Sequence, residues 1–244
     1  MTDLPRIQPT EVNPVLQYPE QRLDEAIALT EKMAFDLPTK VELRSLFEAS
    51  LLPPRALSAR EVLRYRMLEI CRSACNSFKK SEAVSGAILT RAAFETATLM
   101  FNVQKRIQQA IDDGQLGEVG EFLLKAIVGS KNNPNHPQAV NVLTLLKQLE
   151  KEHPGLTERY DYLCEIAHPN QMGTLVAFGL HGPDAVLNLG AKANFGQQFY
   201  PLLQIAIVVF GMAYNRLADS FPPFVELCRQ QAPRTFQERP TETP

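Results

Sequence analysis

Apolar residues return every three or four positions along almost the whole of residues 19–232, and this period constrains the fold more than any other feature of the chain. Leu23, Ile27, Thr30 and Met33 with Ala34 make one such stripe. Thr39 followed by Glu42 has the spacing of a capping box, in which each side chain satisfies a free backbone N–H of a first turn, and predicts a short helix through Phe47. Ser58 and Glu61 repeat the pattern before a longer helix. Its inner stripe is Leu63, Met67, Ile70, Ala74 and Phe78, with Arg66, Glu69 and Ser73 outside. Further helices are predicted from Ser81 to about Asp112, stopped by Gly114, and within residues 117–129. Another opens with Pro137 in its first turn and carries Val140, Leu143, Leu146 and Leu149. The next covers 156–168, where Pro169 forces His168 out of helical geometry. Residues 197–220 form a long helix, and 224–231 a last one after Pro222-Pro223.

The period changes once. Residues 174–178 and 185–189 are apolar runs around Gly182-Pro183-Asp184, the composition of a β-hairpin. Helices joined by mostly short loops, with this one insertion near 174–189, predict an all-α multi-helix bundle. The domain spans 19–232. Residues 1–18, with Pro5, Pro9 and Pro14 and no apolar period, read as an N-terminal arm, and 233–244 as a disordered tail. Residues 1–15 and 233–244 are expected to be dispensable for folding, because they offer no apolar period to bury.

Composition narrows the function classes. The chain of 244 residues is 45% hydrophobic, enough for a substantial core, and its net charge of −2 creates no field that would draw in a phosphate backbone. Nucleic acid is therefore disfavoured as a partner. Four cysteines, Cys71, Cys75, Cys164 and Cys228, are few and unpaired in pattern, which reads as reduced thiols in a cytoplasmic protein. Cys71 and Cys75 share a helical face but lack a second ligand pair at metal-site spacing, so core packing is expected and no metal. The first residues carry no basic and apolar succession of a secretory signal. The longest apolar stretch, 202–213, is interrupted by Gln204 and falls short of the roughly 20 residues that cross a bilayer. A core helix is expected there rather than a membrane span.

One polar constellation stands inside this apolar frame. On the helix that begins near Ser81, Arg91, Glu95, Thr98 and Asn102 share a stripe with Val84, Ile88 and Leu99. Arg91 and Glu95, four apart, can pair. A solvated face with a surface ion pair is one reading; a buried, compensated pair in a central helix is the other. In the segment 158–170, Tyr160, Leu163 and Ala167 form an inner stripe, while Asp161, Glu165 and His168 line a neighbouring face close to Asn170. A histidine beside carboxylates can serve as a base, and a histidine at a helix end can equally serve as a cap favoured by the helix dipole.

The Arg-x-x-x-Glu helix (Arg91 to Glu95), followed by Tyr-Leu and then His-Pro-Asn at Tyr162 to Asn170, resembles a group of uncharacterised bacterial all-helical proteins of HEPN-like type. The resemblance covers residues 58–218 and implies that Arg91, Glu95 and His168 converge inside the bundle. It does not bring the ribonuclease motif, an Arg with four to six residues before a His on one helix. Here eight residues separate Arg159 from His168, and Pro169 ends the helix. Nucleotide-cradling glycine motifs, His-Glu-x-x-His and Gly-x-Ser-x-Gly are missing from the sequence, so no cofactor is expected. Two functions are carried forward. One is a non-enzymatic helical protein, a homo-oligomer acting through protein or small-ligand contacts, with the apolar helix 197–220 as a possible subunit interface. The other is a metal-independent hydrolase, RNA-cleaving or defence-related, using Arg91, Glu95 and His168.

Overall fold

Prolines open two of the helices and a side-chain cap opens a third, and the apolar stripes decide how the helices pack. The computed structural model describes residues 4–8, 18–48, 50–182, 186–192 and 194–231. They form seven α-helices: α1 (Pro19–Ala34), α2 (Leu52–Lys79), α3 (Ala83–Asp113), α4 (Val119–Val128), α5 (Val142–Glu152), α6 (Leu156–Ala167) and α7 (Tyr200–Gln231). A two-stranded antiparallel hairpin, β1 (Gly179–His181) and β2 (Leu187–Leu189), is inserted between α6 and α7. The chain is thus an all-α bundle with a small hairpin, as its periodicity predicts.

The two longest helices, α3 and α7, lie against each other at the centre. Helices α1 and α2 flank them, α5 and α6 cover a further face of α3, and α4 bridges α2 and α3. Met67, Phe94, Met100, Ile107, Phe210 and Phe224 are fully buried where these helices meet. The predicted inner stripe of α2, Leu63 to Phe78, is buried throughout, and Arg66, Glu69 and Ser73 face outward. Helix α3 stops where expected: Gly114 adopts φ 64°, a left-handed turn that costs a glycine little, and the Gln115 N–H closes on the Ala110 carbonyl.

Several boundaries differ from the sequence expectation. Thr39 and Glu42 open no α-helix; a single 3-10 turn, Arg44–Leu46, lies there instead, because Leu43 and Leu46 are the only side chains of that stretch that pack on the core. Ser58 and Glu61 do not cap α2, which begins six residues earlier with Pro53 and Pro54 in its first turn and the Ser50 hydroxyl accepting from Leu52 N–H (3.1 Å). Pro137 lies in an extended loop, its carbonyl accepting from Ser130 N–H, and α5 starts only at Val142 under an Asn141 side-chain cap. That later start turns Leu143 outward, 54% exposed, while Leu145, Leu146 and Leu149 face the core. The first hairpin run is displaced as well: Met172–Val176 coil into a π-type turn, leaving Gly179–His181 as the strand. Residues 183–185 of the expected turn lie outside the described residues.

Helix α7 runs unbroken through Pro222 and Pro223, so the two helices expected on either side of the prolines are one. Burial of Phe221, Phe224, Val225 and Cys228 continues the same stripe past them. The segment beyond is tied down at its end, where Gln231 donates to the Gly114 carbonyl (2.7 Å) and accepts from Leu116 N–H (3.2 Å). By length and composition Phe195–Gln231 would suffice to cross a membrane, but 61% of its most apolar window is buried against the rest of the protein. The face offered as a possible subunit interface is therefore mostly spent on the bundle core.

The N-terminal arm, expected to offer no apolar period to bury, nonetheless packs one side chain into the bundle. Ile7 is 2% exposed, and its backbone N–H and C=O pair with the Asn215 side chain of α7 (2.9 and 2.7 Å). One well-placed isoleucine docks the segment without any period. The tail 233–244 lies outside the described residues.

Candidate functional site

The polar stripe of α3 turns toward two neighbouring helices. Arg91 and Glu95 face α6, where the Tyr160 hydroxyl donates to Glu95 Oε1 (2.9 Å) and accepts from Arg91 Nε (3.3 Å). Arg91 Nε also stands 3.3 Å from Glu95 Oε1, and the guanidinium carbon lies 5.6 Å from the centre of the Tyr160 ring. The two charged side chains are 33% and 29% exposed, so the pair is neither sealed nor fully solvated. Burial, together with donation to Glu95, pushes the Tyr160 phenol up to about 12, against a pull downward from Arg91. A phenol held that high keeps its proton at neutral pH, so Tyr160 works as a fixed donor joining α6 to α3. The hydrogen bond from Arg91 to Tyr160 in turn favours the charged guanidinium.

One turn further on, the stripe is dry. Thr98 and Asn102 are 1% and 0% exposed. The Asn102 amide donates to the Thr98 carbonyl (2.9 Å) and to the Leu145 carbonyl of α5 (3.2 Å). Its Oδ1 and the Thr98 Oγ1 have no partner among the described residues.

His168 does not join this group. It ends α6 in extended conformation (φ −84°, ψ 145°), its backbone N–H bonded to the Cys164 carbonyl (3.1 Å) and its side chain exposed. Among the described residues no hydrogen bond links it to Arg91, Glu95 or Tyr160. Gly173 explains the tight turn after it: a Cβ there would stand 2.2 Å from the His168 carbonyl oxygen. The remaining cluster divides. Asp161 and Glu165 lie on the exposed face of α6 that their spacing to His168 defines. Asn170 donates to Glu165 Oε2 (2.6 Å), while its Oδ1 accepts from the N–H groups of Met172 and Gly173 (3.0 and 3.1 Å), which organises the π-type turn. The structure brings together Arg91, Glu95 and Tyr160, and separately Glu165 and Asn170.

A second polar network was not anticipated. Arg60 and Arg64 of α2 are both fully buried. The Arg60 guanidinium lies 3.6 Å over the Tyr214 ring, pairs with Glu61, and donates to the carbonyls of Tyr214 and Pro5. Arg64 donates to the Met33 carbonyl (2.9 Å), the Phe35 carbonyl and the Tyr214 hydroxyl (3.1 Å). That hydroxyl donates in turn to the Glu61 carboxylate (2.9 Å). Desolvation pulls the Arg60 guanidinium down from its usual range, against the attraction of Tyr214 and Glu61. Sealed from water, the network joins the arm, the end of α1, α2 and α7, which is a structural task. Its signal in the sequence was two arginines, four apart, on the same face as Leu57, Met67, Leu68 and Cys71.

The cysteines are free; Cys71, Cys75 and Cys228 are buried, and burial pushes the Cys75 and Cys228 thiols up to about 11. Among the described residues no three of His, Cys, Asp and Glu gather as metal ligands would. No family model, no curated protein and no solved structure matches the chain.

Proposed function

We propose that the protein is a non-catalytic helical binding protein that works through protein contact, and that its first partner is a second copy of itself docked through the hairpin. The observation that carries this reading is the hairpin's exposed apolar surface. Phe178, Leu180, Val186, Leu187 and Leu189 are 45%, 54%, 52%, 44% and 80% exposed. The strand pairing puts Leu180 on one face of the hairpin and Leu187 and Leu189 on the other, and apolar side chains exposed on both faces of so small an element mark it as an interaction site.

A second copy suits this surface on two counts. Residues 175–189 contain no lysine or arginine and one carboxylate, so charge offers no handle to a partner of opposite sign. Among the described residues the sheet has two strands, so each leaves one edge unpaired there, and edge-to-edge pairing around a twofold axis makes the surface its own complement. The hydrolase alternative needs His168 beside Arg91 and Glu95, and the observed arrangement lends it no support.

Sedimentation equilibrium across the micromolar range tests the reading. The wild type is expected to be a dimer, and Leu180→Lys with Leu189→Lys a monomer with unchanged helical circular dichroism, because both side chains are exposed. A wild type that stays monomeric at every concentration overturns it.

A further inference from the structure

The polar stripe of α3 does not end at Asn102. Arg106, one turn on, enters a cleft of about 270 Å³ between α3, α4 and α5, whose wall also includes Glu118, Phe122, Gln138, Asn141 and Thr144. We propose that this cleft binds a small zwitterion of amino-acid type, its carboxylate on Arg106 and its ammonium on Glu118. The inference is independent of the hairpin, none of whose residues lines the cleft.

Arg106 is positioned but unmatched. Its guanidinium carbon sits 4.3 Å over the Phe122 ring, which fixes the plane of the group, and its Nε is buried with no hydrogen-bond partner among the described residues. A guanidinium presents paired N–H donors to a carboxylate, and Arg106, which lines the cleft and forms no ion pair among the described residues, can offer its accessible donors to an oxyanion there. The start of α5 points the same way. Asn141, its N-cap, and Thr144, in its first turn, line the cleft, so the positive end of the helix dipole adds to the field of Arg106.

A simple anion is not the best fit, because the cleft also holds negative charge. Lys125 is matched by Glu121 at 2.5 Å, which removes that pair from the balance. What is left is Arg106 and Glu118, which line this cleft and the adjoining hollow together and close no ion pair with each other. Opposite charges held apart across one concavity suit a ligand that carries both. Glu118 would repel phosphate or a dicarboxylate but holds an ammonium. The ring of Phe122, with Val140 and Leu145, supplies an apolar wall for a side chain. The volume lies just below the roughly 300 Å³ at which pockets for drug-sized ligands begin, which suits an amino acid.

The unmet polarity of the stripe leads to this place. The unpartnered oxygens of Asn102 and Thr98 lie one and two turns behind Arg106 on the same helix, and Leu145, whose carbonyl receives the Asn102 amide, is itself a wall of the cleft.

The test uses the full chain, with thermal shift and amide chemical-shift mapping against the twenty free amino acids singly at millimolar concentration. Succinate, inorganic phosphate and ethylamine serve as probes of one charge only. At least one amino acid is expected to raise Tm and perturb amides of residues 118–125 and 138–145. Arg106→Gln and Glu118→Gln are each expected to weaken that binding by roughly tenfold or more, the effect of removing one charged partner worth about 1.4 kcal/mol. Each one-charge probe is expected to bind at least tenfold more weakly than the best amino acid, since it meets one of the two charged partners only. Glu118 is exposed, so Glu118→Gln carries the test even where Arg106→Gln unfolds. Absence of any amino-acid binding overturns the proposal. So does phosphate or succinate binding as well as the best amino acid, or a Glu118→Gln variant that binds as the wild type does.

Discussion

Two Arg–Glu pairs in this chain differ in burial, and the difference sets what each residue is worth. Arg60 and Glu61 are enclosed, with side-chain exposures of 0% and 6%, and Arg64 stands in the same network. Glu61→Gln would leave two buried guanidinium groups with no counter-charge and should cost roughly 3–5 kcal/mol. Arg91 and Glu95 are each about a third exposed, water screens them, and Glu95→Ala should cost only about 1 kcal/mol. Urea unfolding of both variants checks the contrast, and equal losses would refute it. The Tyr214 phenol adds a pH dependence. Burial pushes it up to about 12, above the roughly 10 of an unfolded tyrosine, so the folded state favours the protonated form that donates to Glu61. This contribution is complete below pH ~10 and is lost as pH rises toward ~12. Relative to wild type, Tyr214→Phe should therefore show a flatter fall in urea midpoint across that window. The spacing of Arg91 and Glu95 was legible in the sequence; the role of Glu61 was not. Its position three after Ser58 imitates a capping box, and the acceptors of Arg60 and Arg64 are mostly backbone carbonyls, which no residue letter marks.

At the scale of elements, stripes were legible and ends were not. The inner face of α2 follows directly from residue spacing, because burial on a helix repeats with the helix. Ends depend on local hydrogen bonds and on what the far side of the molecule offers. Pro137 could open a helix but serves an extended loop, while Asn141 supplies the cap. Pro222 and Pro223 could end one but do not, because Phe224, Val225 and Cys228 gain more by staying on the α7 stripe. The cost persists: Pro223 has no N–H for the Asp219 carbonyl one turn earlier. Pro223 is exposed, so Pro223→Ala removes that defect without opening a cavity and should raise stability by about 1–3 kcal/mol. A destabilised Pro223→Ala in chemical denaturation would mean that the pyrrolidine ring itself holds α7 in place.

At the scale of the molecule, the all-α bundle and its hairpin were readable from periods, whereas the parts that lock helices together were not, since each is a contact between residues distant in sequence. The arm is the clearest case. Residues 4–8 have no period, yet they close a junction made by α1, α2 and α7. Deleting residues 1–8 would expose the hollow that Ile7 fills, a loss of about 2 kcal/mol by the area of one buried isoleucine. It would also remove the Pro5 carbonyl from Arg60, the loss of one hydrogen bond to a charged group, at a further cost of about 1–3 kcal/mol. The exposed Arg6–Asp219 pair (2.6 Å) adds little. The sum, roughly 3–5 kcal/mol, corresponds to a fall in Tm on the order of 10 °C for a domain of this size. Ile7→Ala in the full chain separates the two parts: it should show the packing loss alone, because Pro5 still reaches Arg60. A chain lacking residues 1–8 that melts within a couple of degrees of the wild type would mean that the arm rests on the bundle without holding it.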